Sequence, residues 1–264
     1  MTTVQTMLFR AARASALAAL VLALMIVSGC APTETLSPPD VLVAPYHAAR
    51  GDVLWAVAPL ANESGVSIVD TGMIADEIIH NIDQVRGLAC LPLNRTLGAM
   101  RARGLTSVAT PQDARNLANA LGVDGLIVGT ITSYDPYNPP KLGIKLALFA
   151  SNPGVQAPEL DPLRLQLSYT EYDRRLATQY LTKPVATLSQ HLDGANHEVQ
   201  MELRRYATGR HDPESALGWK RIMASMDLYT QFASFVAVSR LIDQERLRLA
   251  QPATATVEPT APPR

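Results

Sequence analysis

The run VLWAVAPL, residues 53–60, carries eight residues without a charge. A strand with one wet face alternates polar and apolar residues, whereas an unbroken apolar run needs cover on both faces. That is the condition of a parallel strand between helices, and parallel neighbours need a crossover, usually helical. The following residues supply one. Asp70 or Thr71 can cap a helix, Ile74, Ile78, Ile82 and Val85 recur at helical spacing, and Gly87 suits a left-handed exit. The run thus commits the chain to an α/β arrangement.

The pattern repeats. Residues 88–91 read as a second short strand, and Asn94 can cap a helix carrying Leu97 and Met100. In TPQDARNLANALG, Thr110 is the cap, Pro111 the first helical residue, Leu117 and Leu121 the inner face, and Gly122 the stop. DGLIVGTITSYD, from Asp124, has the β-branched composition of a packed strand. After the proline-rich seam YDPYNPPKLG the period becomes two. Leu142, Ile144, Leu146 and Leu148 alternate with Gly143, Lys145, Ala147 and Phe149, and Leu163, Leu165 and Leu167 alternate with Arg164, Gln166 and Ser168. These predict an antiparallel pair at the edge of the sheet. The remainder reads as helical: Val199, Leu203 and Tyr206 line one helix, Asp212 and Pro213 open another, and Leu228, Phe235, Ile242 and Leu249 repeat every seven residues along a long last one. The expected fold class is α/β, a mixed sheet of parallel core strands with an antiparallel edge pair, flanked by helices, plus a helical C-terminal portion.

The amino terminus sets the compartment. Arg10 and Arg13 precede an apolar segment, residues 16–27, closed by Ser28 and Gly29. Twelve apolar residues are too few to span a bilayer, which takes about 20. The segment reads as a secretory signal ending at Cys30, with Val27, Ser28 and Gly29 where a lipoprotein cleavage motif would stand. Cys30 is the predicted lipidation site, and several acyl chains anchor a protein firmly. The remaining cysteine, Cys90, has no partner for a disulfide, so the fold must rest on its core. Removing the leader leaves 21 basic against 24 acidic residues, a net charge near −3, which argues against binding nucleic acid through its phosphates.

The expected segments are a signal peptide at 1–29, the lipidated cysteine and a polar tether at 30–41, the α/β domain at 42–173, a mainly helical portion at 174–250 and a proline-rich, disordered tail at 251–264.

Chemistry is sparse. The chain has no G-x-S-x-G elbow, no G-x-x-x-x-G-K-[ST] loop, no H-E-x-x-H and no C-x-x-C. No catalytic residue and no cofactor is predicted. Cys90, inside LACLPL, reads as a small core residue. Asp76, His80 and Asp83 share a helix face and could hold a cation, although a solvated side explains them as well. His191, Asp193, His197 and Glu198 lie close in sequence; His191 and His197 are weak metal candidates, because Asp193 also suits a cap for a helix starting near Ala195.

WAVAPLANESG, DTGMIADEI and ANALGVDGLIVGTITSYDP leading into LGIKLALF resemble the α/β domain shared by curli-secretion lipoproteins, outer-membrane lipoproteins that activate peptidoglycan synthases, and the amino-terminal domain of TolB. The resemblance spans residues 53–173. It implies a non-enzymatic periplasmic domain working in envelope assembly or secretion. Curli-type pores insert paired β-hairpins, whereas this chain offers only residues 142–150 and 163–172, which barely reach the length of spanning strands and carry a weak outward apolar pattern, so a half-buried soluble hairpin explains them more simply.

Ligands of open α/β sheets collect beyond the carboxyl ends of strands, and two loops fall there. Asn62 and Glu63 lie in ANESG, and Tyr134, Asp135 and Tyr137 lie in YDPYNPP. These five are the expected partner-binding residues. The reading is a lipoprotein held to the membrane by its N-terminal lipid, binding an envelope protein and no nucleic acid; self-association into a secretion ring or pore, and an envelope hydrolase or metal enzyme using His191, are the alternatives. Ala31 after the cysteine resembles the pattern that permits export to an outer membrane, placing the body in the periplasm.

Overall fold

The structure, a computed structural model, describes residues 41–46, 51–150, 183–211 and 215–250. Cys30, the tether, the tail, the strand pattern at 163–172 and the helix opening at Asp212 lie outside the described residues. In chain order the elements are β1 (Val53–Val57), β2 (Ala61–Asn62), α1 (Thr71–Asp83), β3 (Leu88–Leu91), α2 (Leu93–Ala102), α3 (Pro111–Leu121), β4 (Gly125–Asp135), β5 (Lys141–Ala150), β6 (Ala186–Asp193), α4 (His197–Ala207), α5 (Lys220–Ala224) and α6 (Met226–Ala250).

One mixed sheet runs β3-β1-β4-β5-β6, with the short β2 pairing β4 beyond the end of β1. β1 is parallel to both β3 and β4, and β5 is antiparallel to its neighbours β4 and β6. The apolar run of β1 lies in the interior for the expected reason. Trp55 and Val57 face a core formed with α1, α4 and α6, and Ala56 faces a second core under α2 and α3. Helices therefore cover both faces at β1. At about 1.5–3 kcal/mol for each fully buried large apolar side chain, Trp55, Ile74, Ile78, Ile82 and Leu117 dominate what holds the layers together.

Local signals explain most boundaries. The Asp70 side chain accepts from the Met73 N–H at 2.9 Å and caps α1. α3 begins with a capping box: Thr110 accepts from the Asp113 N–H while the Asp113 carboxylate accepts from the Thr110 N–H. It ends at Gly122, whose φ of 66° lies in the left-handed region.

Four expectations are corrected. α2 starts at Leu93 after Pro92, so Asn94 sits inside its first turn and caps nothing. α4 is capped by Asn196, whose side chain accepts from the Glu198 N–H; Asp193 instead takes the Ala195 N–H in the preceding turn. The antiparallel partner of β5 is residues 186–193, inside the portion read as helical. On α6 the seven-residue line is not the buried seam: Ile242 is buried, whereas Leu228 and Phe235 are only partly so. The buried face is wider, taking in Tyr229, Phe232, Ala233, Val236, Ala237 and Leu241, because α6 packs on α1 and β6 together.

Candidate functional site

Because β2 runs parallel to β4 at Thr130 and Ile131, the loop of residues 63–70 leaves the sheet at the same end as the loop of residues 136–140. This carboxyl pole gathers the five residues expected to bind a partner, in two different roles. Asn62 braces its own turn: its Nδ2 donates to the Val66 carbonyl at 2.8 Å, and its Oδ1 accepts from the Ser64 N–H and hydroxyl at 3.1 and 2.7 Å. Asp135 does the same for the second loop, accepting from the Tyr137 N–H at 3.1 Å. Glu63 is fixed through its backbone N–H to the Ile131 carbonyl at 2.9 Å and leaves its carboxylate exposed. Tyr137 is 80% exposed. Tyr134 is half-buried, and burial, together with Asp227 and Asp70, pushes its phenol upward. Ile68, 68% exposed, completes the apolar part and was missed in the sequence, where it sits between Val66 and Val69 in a short apolar stretch that does not show which member faces outward.

Beside the pole, a bulge in β4 between Ile131 and Ser133 turns Ser133 toward β6. Ser133 Oγ and His191 Nδ1 are 2.9 Å apart although β5 lies between their strands. Gly143 makes this crossing possible, since a Cβ there would stand 2.5 Å from the hydroxyls of both Thr132 and Ser133. Lys141 pairs with Asp193 at 3.2 Å. The Asp193 carboxyl is held below its usual range, first by the Ala195 N–H and then by Lys141 and His191.

His197 stands exposed in the first turn of α4. The α1 face also divides. His80 shares a 2.8 Å hydrogen bond with Gln84, while the Asp83 carboxylate accepts from the Cys90 N–H at 2.7 Å. Among the described residues no group of three or more His, Cys, Asp or Glu is placed to hold a metal ion. A polar cleft of about 480 Å³ does open between α1, α4 and α6, lined by Asp76, Glu77 and His80 with Tyr206, Arg210 and Gln231. The guanidinium of Arg210 is stacked on Tyr206 and Phe235 at 4.5 and 4.8 Å.

The opposite, amino pole is where the described chain enters. Residues 42–44 lie along Arg86 through paired backbone bonds of 3.0 Å, just before β3. Tyr46 donates to Glu245 at 3.2 Å, and Glu245, fully buried, is gripped by Arg248 at 2.7 and 2.9 Å. Burial, then the charge of Glu245, raises the Tyr46 phenol far above its ordinary range. No helix among the described residues is long and apolar enough to cross a membrane.

No family model matches the chain, and no curated protein does. Among solved structures it is similar to lipoprotein GNA1162 from Neisseria meningitidis, at 16% identity over 57% of this chain and 90% of that one, with a TM-score of 0.37. It is similar to the LpoB C-terminal domain from Salmonella enterica, at 18% identity over 42% and 76%, with a TM-score of 0.29. A PelC dodecamer from Paraburkholderia phytofirmans matches at 14% identity over 45% and 69%, with a TM-score of 0.25.

Proposed function

We propose that this chain is a non-enzymatic lipoprotein module of the bacterial cell envelope, anchored through Cys30 in the outer membrane and presenting its carboxyl pole to an envelope protein in the periplasm. The observation that carries the reading is the opposition of the two poles. The strap that follows the anchor is clasped by Glu245 near the end of α6, whereas the loops of Ile68 and Tyr137 leave the sheet at its carboxyl end, where the charge of Asp227, at the start of α6, raises the Tyr134 phenol. From Asp227 to Glu245 α6 makes 18 steps, a rise of about 27 Å at 1.5 Å each. Tyr137 and Ile68 therefore point away from the side that the anchor holds, on loops pre-braced by Asp135 and Asn62. Tyrosine on a rigid loop gives contact area with little entropy to lose.

The test is a photo-crosslinking residue at Tyr137, in membranes, with Met201 on α4, 42% exposed, as the control position. A protein captured from Tyr137 and not from Met201 supports the reading, and capture from both or neither removes it. Crosslinks to a second copy would make the chain a ring subunit instead. Cys30→Ser is expected to release the protein into the soluble fraction; a variant still in the membrane pellet would contradict the anchor.

A further inference from the structure

Seven large apolar side chains stay exposed among the described residues, and three of them, Val41, Val43 and Leu247, belong to the amino pole. Their exposures are 61%, 46% and 66%. The strap is extended, so its residues alternate in direction. Leu42 and Ala44 turn inward, Ala44 to 7% exposure, and Val41 and Val43 turn outward. That outward row is apolar along its length. Leu247 joins it because the neighbouring Arg246 donates to the Val43 carbonyl at 3.2 Å, fastening the last turns of α6 to the strap. The carboxylates on those turns are matched by cations: Asp243 is paired with Arg246, and Glu245 with Arg248.

We infer that the amino pole is a membrane-apposed face, with Val41, Val43 and Leu247 resting in the headgroup region of the phospholipid bilayer that holds the chain's own anchor. The inference rests on the lipid-anchor reading. Ten residues separate Cys30 from Val41, which reach about 35 Å at most when extended. A bilayer is then the one surface always within range of this pole, and tethering turns weak contact into an intramolecular event. Apolar side chains flanked by arginines suit the boundary between headgroups and acyl chains. A tether alone would leave the body free to tumble, so an orientational bias is what the apolar row adds.

The experiment uses the full lipidated chain in vesicles of phosphatidylethanolamine and phosphatidylglycerol that contain headgroup-nitroxide lipid as quencher. A fluorophore is placed at Leu247→Cys or, separately, at Tyr137→Cys; buried Cys90 stays unlabelled. Quenching several-fold stronger at 247 than at 137 is expected, and Val41→Ser with Val43→Ser should bring the two toward equality. Equal quenching, with the protein in the vesicle fraction, overturns the apposed face and leaves the anchor standing. Protein missing from the vesicle fraction overturns the anchor and the inference together.

Discussion

A Cβ on Gly143 would stand 2.5 Å from Thr132 Oγ1 and from Ser133 Oγ, and 3.1 Å from the Ser133 nitrogen. Alanine there has to push aside one or both hydroxyls and with them the Ser133–His191 contact. Gly143→Ala is expected to cost about 1–3 kcal/mol, the usual range for overpacking, measured by denaturant melts. Ser133→Ala in the same chain removes one of the clashing atoms, so the double variant should fall short of the sum of the singles; simple additivity would refute the crossing. Cys90 gives the second residue-level case. Burial, then Asp83, pushes its thiol from 9.0 up to about 12. The unfolded chain ionises first as pH rises, so the native state holds the proton longer. Stability from this group is complete below about pH 9 and is lost between about 9 and 12. Tyr46 and Tyr229, both raised by burial, add to the loss above pH 10. Unfolding free energies should therefore fall from pH 9 to 10, and less steeply in Cys90→Ala. A thiol reagent at pH 8 should label Cys90 only as denaturant opens the fold.

Helix α3 shows what a local signal can determine. Its start is fixed by the reciprocal Thr110 and Asp113 bonds and its end by Gly122, all within 13 residues. Thr110→Ala is expected to cost about 1 kcal/mol, and Thr110→Ser much less; equal melting of both variants would mean the box contributes nothing. Such elements were legible in the sequence because cap, apolar face and stop lie side by side. β6 was not. Its alternation is regular, but a buried position holds Gln190, a polar residue satisfied by the Ala233 carbonyl of α6 at 3.1 Å and by Arg240. That partner lies 43 residues on, beyond any local reading. The wide face of α6 was hidden for the same reason, since two surfaces that it contacts at once blur a heptad seam. The placement of Tyr134, Asp135 and Tyr137 at the carboxyl end of a strand was legible from the tyrosine and proline loop. The bracing role of Asn62 depends on a turn geometry that its sequence permits without dictating.

For the molecule as a whole, the clasp of Tyr46, Glu245 and Arg248 decides whether the strap belongs to the body. Glu245 has no exposure and Arg248 keeps 18% of its side chain in solvent, so water screens this pair poorly. Removing the carboxylate deprives the guanidinium of its bidentate partner and Tyr46 of its acceptor. Glu245→Ala is therefore expected to cost about 3 kcal/mol, as broken buried pairs do, whereas Tyr46→Phe, which deletes one hydrogen bond and keeps the ring against Trp55, should cost about 1 kcal/mol. In the Glu245→Ala background the tyrosine change should cost almost nothing, because its acceptor is already gone. Hydrogen exchange gives the spatial readout. The amides of Ala44 and Arg86, which donate across the strap, should lose protection in Tyr46→Phe before those of β4 and β5 do. Since α6 separates the poles, the same variant should leave capture from Tyr137 unchanged while weakening the orientation reported at Leu247. Parallel loss at both positions would show that the body transmits the change from pole to pole, and the two surfaces could not then work independently.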